Sequence, residues 1–181
     1  KSPIYCDNRL ILTAPEVRNG VESALADMIK REFPEAGVLM GTATAGIAHA
    51  AIAAHILGLP MGYVRSGNNG RQNRIEGRLV PGEKVVVVED LISTGGSALE
   101  AVEALREAGA EVLGIAALFT YGMEKGKKRL AEHNVRAVCL TNFDEVVAAA
   151  AADGAFPASY VPALTAFRDN PDDASWQEAL K

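Results

Sequence analysis

No stretch of this sequence holds the roughly 18 consecutive apolar residues of a membrane-spanning helix, and no signal peptide is visible, so a soluble protein is expected. Positive charge is in deficit. With 18 Lys and Arg against 23 Asp and Glu, the net charge of -5 argues against sequence-independent nucleic-acid binding, which needs basic surface. An anionic ligand must therefore be met locally. Cysteine is limited to Cys6 and Cys139, in separate apolar contexts without metal-ligand spacing or a disulfide framework. That usage fits a reducing cytoplasm and two buried thiols. Linker-like stretches and internal repeats are missing too, so 181 residues at 49% hydrophobic content form one domain, 1–181, with a sizeable core. Two familiar phosphate motifs are also absent, the G-x-x-x-x-G-K-[ST] loop and the G-x-G-x-x-G dinucleotide fingerprint.

What the chain has instead is one dense stretch, Val85-Val86-Val87-Val88-Glu89-Asp90-Leu91-Ile92-Ser93-Thr94-Gly95-Gly96-Ser97. Four consecutive β-branched residues after Pro81-Gly82 fit a strand covered on both faces, as in a parallel sheet. The chain then turns sharply. Three hydroxyls and two glycines let backbone N–H groups approach an anion, and a helix expected over 98–108 points its positive end at the same spot. This is the pattern of a phosphate seat. Glu89 and Asp90, at the expected strand end, would repel the ligand unless they meet its neutral hydroxyls or a metal, and a ribose offers two adjacent hydroxyls. The bland alternative is a tight turn whose acids cap the next helix, but such a turn does not require two acids, three hydroxyls and two glycines together.

Upstream, Thr13-Ala14-Pro15-Glu16 reads as a capping box, with Val17, Val21, Leu25, Met28 and Ile29 following at helical spacing. Val38-Leu39-Met40 is a short strand leading to a second small-residue loop, Gly41-Thr42-Ala43-Thr44-Ala45-Gly46. The helix over 47–57 is apolar almost all round and ends at Gly58. Its His49 and His55 fall on different faces, so partly buried or surface histidines are expected and not a metal pair. Residues 61–65 form a third strand, and 66–74 has the polar, glycine-rich composition of a mobile loop, with an ordinary hairpin connection as the alternative. Strands are expected over 112–119 and 135–140, and helices over 124–132 and, capped by Asn142, over 143–152. Lys125, Lys127, Lys128 and Arg129 read as a solvated helix face, since Glu124 and Glu132 accompany them. A short helix through Leu164 and Phe167 precedes a polar tail with Asp172, Asp173 and Trp176. Strands alternating with helices imply an α/β fold with a parallel sheet, whose ligands bind beyond the carboxyl ends of the strands at a switch in strand order. The loops 42–46, 65–73 and 89–97 should meet there.

The stretch 85–97 resembles the phosphoribosyl-pyrophosphate signature of the type I phosphoribosyltransferases. Together with Ser2-Pro3-Ile4-Tyr5-Cys6-Asp7-Asn8-Arg9 and Arg74-Ile75-Glu76-Gly77, its wording is similar to that of bacterial orotate phosphoribosyltransferases. The likeness covers nearly the whole chain. It implies a parallel-sheet core with helices on both faces and a small, incomplete hood near 1–12 and 156–181. It also implies that Glu89 and Asp90 hold the ribose, and that Leu91, Ile92, Ser93, Thr94, Gly95, Gly96 and Ser97 hold the 5′-phosphate. Thr44, Ala45, Gly46 and Arg65 would meet the pyrophosphate, and Ser93 would stand near the orotate ring. Catalysis would rest on Glu89, Asp90 and Arg65. Magnesium would be carried mainly by the substrate, with no direct protein ligand. The resemblance further implies a cytoplasmic homodimer acting in pyrimidine biosynthesis on orotate and phosphoribosyl pyrophosphate, without nucleic-acid or membrane partners.

The chain departs from that family in three places. Family members carry Lys-x-His-Gly in a mobile loop that reaches the partner subunit's site, whereas the segment containing Ser66, Gly67, Asn68, Asn69, Gly70, Arg71 and Arg74 is shorter and has neither lysine nor histidine. The chain begins at Lys1, where the family has a further N-terminal segment contributing to the hood. Phe119-Thr120-Tyr121 offers no arginine where some members place one for orotate. Two other readings stay open: a phosphoribosyltransferase-like binding or regulatory protein without turnover, and a transferase for another base.

Overall fold

A computed structural model of the chain describes residues 4–67 and 74–180. Six strands, β1 (Val38–Thr42), β2 (Met61–Val64), β3 (Ile75–Glu76), β4 (Lys84–Ile92), β5 (Glu111–Thr120) and β6 (Ala137–Asn142), lie in the order β3-β2-β1-β4-β5-β6. Every neighbouring pair is parallel except β2 and β3, which form an antiparallel hairpin. Strand order reverses between β1 and β4, so the carboxyl ends of these two strands flank the switch point expected to hold ligand.

β4 is central because each of its valines is fully buried and both of its faces are covered. Side chains alternate across a strand. Val85 and Val87 accordingly join Leu99, Val102 and Leu105 of α3 (Gly96–Glu107) on one face. Val86 and Val88 join Leu25 and Ile29 of α1 (Pro15–Glu32), with Ala50, Ala53 and Ala54 of α2 (Ala45–Leu57), on the other. Burying each valine stabilises the fold by about 1.5–3 kcal/mol, before the cost of ordering the chain. Gly58 ends α2 at φ 68°. Asn142 accepts the Glu145 amide at 3.1 Å and so caps α5 (Phe143–Ala152), as expected.

Local expectations fail at four points. Thr13 does not cap α1: its hydroxyl donates to the Leu10 carbonyl at 2.8 Å inside a 3-10 segment, Asn8–Thr13. The cap position is Ala14, followed by Pro15, which has no N–H to satisfy in the first turn. β4 also runs on to Ile92, because the ten-residue β5 supplies backbone partners as far as Thr120, so Glu89 and Asp90 lie within the strand. The two cysteines are half-buried and not buried. His49, finally, is fully buried, with Nδ1 2.5 Å from Oε1 of the equally buried Glu22 across the α1–α2 contact.

Beyond β5 a third apolar cluster joins both ends of the described chain. Phe119, Tyr121 and Phe143 meet Phe167 of α6 (Val161–Asp169) and Trp176, with Ile4 and Cys6 packed against them. The Tyr121 hydroxyl donates to the Ile4 carbonyl and accepts the Cys6 amide, each at 3.1 Å. Asp172 and Asp173 are exposed, as expected, while Trp176 between them and the C-terminal residues is buried.

Candidate active site

Glu89 is a buried residue of β4 and uses both carboxylate oxygens. Oε1 accepts the Thr42 hydroxyl at 2.7 Å and the Asp90 amide at 3.1 Å, and Oε2 accepts the Ser97 hydroxyl at 3.1 Å. One side chain thereby ties the end of β1 to the first turn of α3. Burial, reinforced by the neighbouring Asp90 carboxyl, pushes the Glu89 pKa up to about 7, while the Thr42 hydrogen bond pulls the other way. Asp90 is 8% exposed, and its backbone carbonyl accepts the Asn8 side-chain amide at 2.8 Å.

The loop after β1 is held by close packing. A Cβ on Gly46 would lie 2.4 Å from the Val88 carbonyl oxygen, and one on Gly41 would lie 2.8 Å from Gly46 O. Only glycine lets the start of α2 approach β4 so closely. The Ala43–Thr44 peptide is cis, and the Ala43 amide donates to the Val64 carbonyl at 2.9 Å. Gly95 adopts φ 75° and turns the chain from β4 into α3.

The third loop is the β2–β3 connection. Its described stem is a hairpin, with the Arg65 amide donating to the Arg74 carbonyl at 2.7 Å. Asn68, Asn69, Gly70 and Arg71 lie outside the described residues. Arg65 is paired with Glu76 at 3.2 Å and Arg74 with Glu100 at 3.5 Å. Thr42, Ala43, Arg65, Ser66, Arg74 and Ser97 line one small recess of about 20 Å³. The structure thus brings described parts of the three expected loops, Thr42 and Ala43, Arg65 and Ser66, and Ser97, to one place. Ser93 lies elsewhere, in a cleft of about 150 Å³ beneath α4 (Glu124–Glu132), beside Thr120, Gly126 and Leu130. A larger cavity of about 410 Å³ is lined by Ile4, Cys6, Phe119, Phe143 and other largely apolar residues of the third cluster, and includes neither Glu89 nor Asp90.

Two contributions escaped sequence reasoning. Asn8 reaches a strand 82 residues away, and no local pattern marks that contact. The docking of α4 on the phosphate loop did leave a signal: Gly126 interrupts a charged helix, where glycine costs about 1 kcal/mol relative to alanine. A Cβ there would come within 2.5 Å of the Ser93 carbonyl oxygen.

No group of three or more His, Cys, Asp or Glu side chains among the described residues is arranged to hold a metal ion. Glu89 uses both oxygens within the protein, and the carboxyl beside it is that of Asp90, itself 8% exposed. That donor set suits a magnesium ion that retains water and substrate oxygens.

The sequence profile of the phosphoribosyl transferase domain matches residues 10–152. Orotate phosphoribosyltransferase of Listeria innocua is 56% identical over 174 residues, which cover 95% of this chain and 83% of that protein. The chain belongs to the phosphoribosyltransferase family, in its orotate branch. Another member with that name, from Bacillus cytotoxicus, is 51% identical over 178 residues, covering 97% of this chain and 85% of that protein. The crystal structure of orotate phosphoribosyltransferase from Aeropyrum pernix superposes with a TM-score of 0.72 at 30% identity, covering 79% of this chain and 81% of the other. The type I phosphoribosyltransferase architecture expected from the signature is therefore the one this chain adopts.

Proposed function

We propose that this chain transfers ribose 5-phosphate from phosphoribosyl pyrophosphate to orotate, giving orotidine 5′-monophosphate and pyrophosphate, as a cytoplasmic homodimer with a hood near 1–12 and 156–181. The observation that carries the reading is the carboxylate knot, in which Glu89 joins the loop after β1 to the loop after β4 at the switch in strand order. Two anion-receiving loops set side by side suit a substrate with phosphate groups at both ends of a sugar. The 5′-phosphate belongs with residues 91–97, where the αL turn at Gly95 and the start of α3 present backbone N–H groups. Pyrophosphate belongs with Thr44, Ala45, Gly46 and Arg65. Between them the ribose hydroxyls face Asp90, with Glu89 holding the walls of that slot and reaching the sugar when Thr42 or Ser97 yields. Ser93 is assigned to the orotate side.

In the reaction the bond from the anomeric carbon to the pyrophosphate oxygen breaks and a bond to the orotate ring nitrogen forms. The electron pair leaves with pyrophosphate, and the ring nitrogen gives up its proton. The protein supplies no nucleophile. Its part is to hold both reactants in line and to set donors where charge grows on the leaving group. A magnesium ion carried in with the substrate would supply charge neutralisation for the leaving group. Among the described residues no helix is long and apolar enough to cross a membrane.

The test is to incubate the protein with magnesium, phosphoribosyl pyrophosphate and each of several bases, following nucleotide and pyrophosphate. Turnover with orotate alone supports the reading. Binding without turnover returns the regulatory alternative, and turnover with another base replaces the substrate.

A further inference from the structure

Resting on that reading, the surroundings of the phosphate loop supply one residue more. Arg65 and Arg74 stand at the hairpin and are paired with Glu76 and Glu100. Both line a small recess that includes Ser97, but each guanidinium is held by its carboxylate partner. Helix α4 packs on the preceding part of the turn, at Ser93, Gly95 and Gly96. Gly126 is set so close that a Cβ would lie 2.5 Å from the Ser93 carbonyl oxygen, and a Cβ on Gly95 would meet Leu130 Cγ at 3.7 Å. The helix is thus a wall of the loop, and its register is dictated by backbone contact. One turn along, that register sets Arg129 against Gly96: a Cβ on Gly96 would find Arg129 Nη1 3.4 Å away.

The basic residues of α4 are not equivalent. Lys127 is paired with Glu124 at 2.7 Å, and Lys128 reaches Glu132 at 3.9 Å. Neither Lys125 nor Arg129 has an ion-pair partner among the described residues, but Arg129 is the one set against the loop, at Gly96, and its side chain is exposed, within reach of an incoming solute. The chain as a whole carries a net charge of -5, and Glu89 and Asp90 sit at the base of the same loop. A phosphate entering such a field is repelled unless a cation stands close. Backbone amides and hydroxyls contribute only partial charge, whereas a guanidinium is always charged and forms two parallel hydrogen bonds with phosphate oxygens.

We propose that Arg129 of α4 is the cationic ligand of the 5′-phosphate, closing the loop 93–97 from the side opposite α3. The interaction is made in the ground state and kept through the reaction, because the 5′-phosphate takes no part in bond making. It therefore governs substrate affinity.

The experiment compares the whole protein with Arg129→Met, Arg129→Gln and Arg129→Lys. The KM for phosphoribosyl pyrophosphate should rise about tenfold in the methionine and glutamine variants and less in the lysine variant. The inhibition constant of inorganic phosphate, competing at the same seat, should rise in parallel. Melting temperature should stay at the parent value, since the side chain is exposed. Added salt should raise the parent's KM more steeply than that of the methionine variant. An unchanged KM for phosphoribosyl pyrophosphate in an active Arg129→Met protein overturns the assignment alone. So does a fall confined to kcat. A parent protein that never consumes orotate and phosphoribosyl pyrophosphate overturns instead the function on which the assignment rests.

Discussion

Glu89 and its neighbour Asp90 both lie within β4 but differ in how their carboxylates are held. Three donors from three positions converge on Glu89, and the Asp90 carboxyl lies against it. Replacing Asp90 with Asn should cut turnover steeply while changing stability by roughly 1 kcal/mol or less. Normal turnover by the folded variant would remove Asp90 from the ribose. For Glu89 the consequence is a pH dependence of stability. Its folded pKa of about 7 lies above the ordinary value of 4.5, so the folded protein holds this proton more tightly than the unfolded chain. The associated stability is fully present below about pH 4.5 and is lost as pH rises through about 7. The size of that loss is on the order of 3 kcal/mol as an upper bound. Glu89→Gln, which keeps the shape and cannot ionise, should flatten the profile over this window. Denaturant titrations of both proteins at pH 5 and pH 7.5 measure it, and equal slopes would mean that Glu89 is ionised throughout.

At the scale of elements, the β4–α3 turn separates two glycines that adjoin in sequence. Gly95 has a left-handed backbone at φ 75°, whereas a Cβ on Gly96 meets only the movable Arg129 guanidinium. Gly95→Ala should therefore cost about 1–2 kcal/mol of stability. Gly96→Ala, at the first position of a helix, should be nearly neutral, so that any loss of phosphoribosyl-pyrophosphate binding in it reports on the phosphate itself. Calorimetric melting and titration of the two single variants separate these effects, and equal destabilisation would contradict the backbone assignment.

The same element shows how far sequence reaches. The valine run, the glycine turn and the Asn142 cap are local, with periodicity and backbone chemistry acting over a few residues, so they were legible. The strand's extension to Ile92 depends on β5, and the failure of Thr13 as a cap depends on how 8–13 folds back, neither of which local spacing encodes. The basic face of α4, expected in solvent because Glu124 and Glu132 accompany its bases, is exposed, but the helix also docks on the phosphate loop. Its contact with the Ser93 backbone is made by Gly126, which carries no side chain to signal hydrophobic burial. The buried Glu22–His49 pair was missed for a similar reason: its two halves stand 27 residues apart on separate helices.

On the scale of the molecule, the proposed homodimer predicts twice the 19.1 kDa chain mass in light scattering at micromolar concentration. A fully active monomer would rule out a site shared between subunits. A second whole-molecule consequence comes from the third cluster, where aromatic rings run from Phe119 through Tyr121, Phe143 and Phe167 to Trp176, with centroid separations of 5.1–6.3 Å. Because Trp176 is the sole tryptophan, ultraviolet emission excited at the red edge comes from this seam and from nowhere else in the chain. The fold has in effect placed a single lamp where its first and last described segments meet. Loosening of Ile4 and Cys6 from Tyr121, or of Trp176 from Phe167, should shift that emission to longer wavelength while circular dichroism still registers an intact sheet. Coincident transitions by the two signals would show instead that the seam and the sheet melt as one unit.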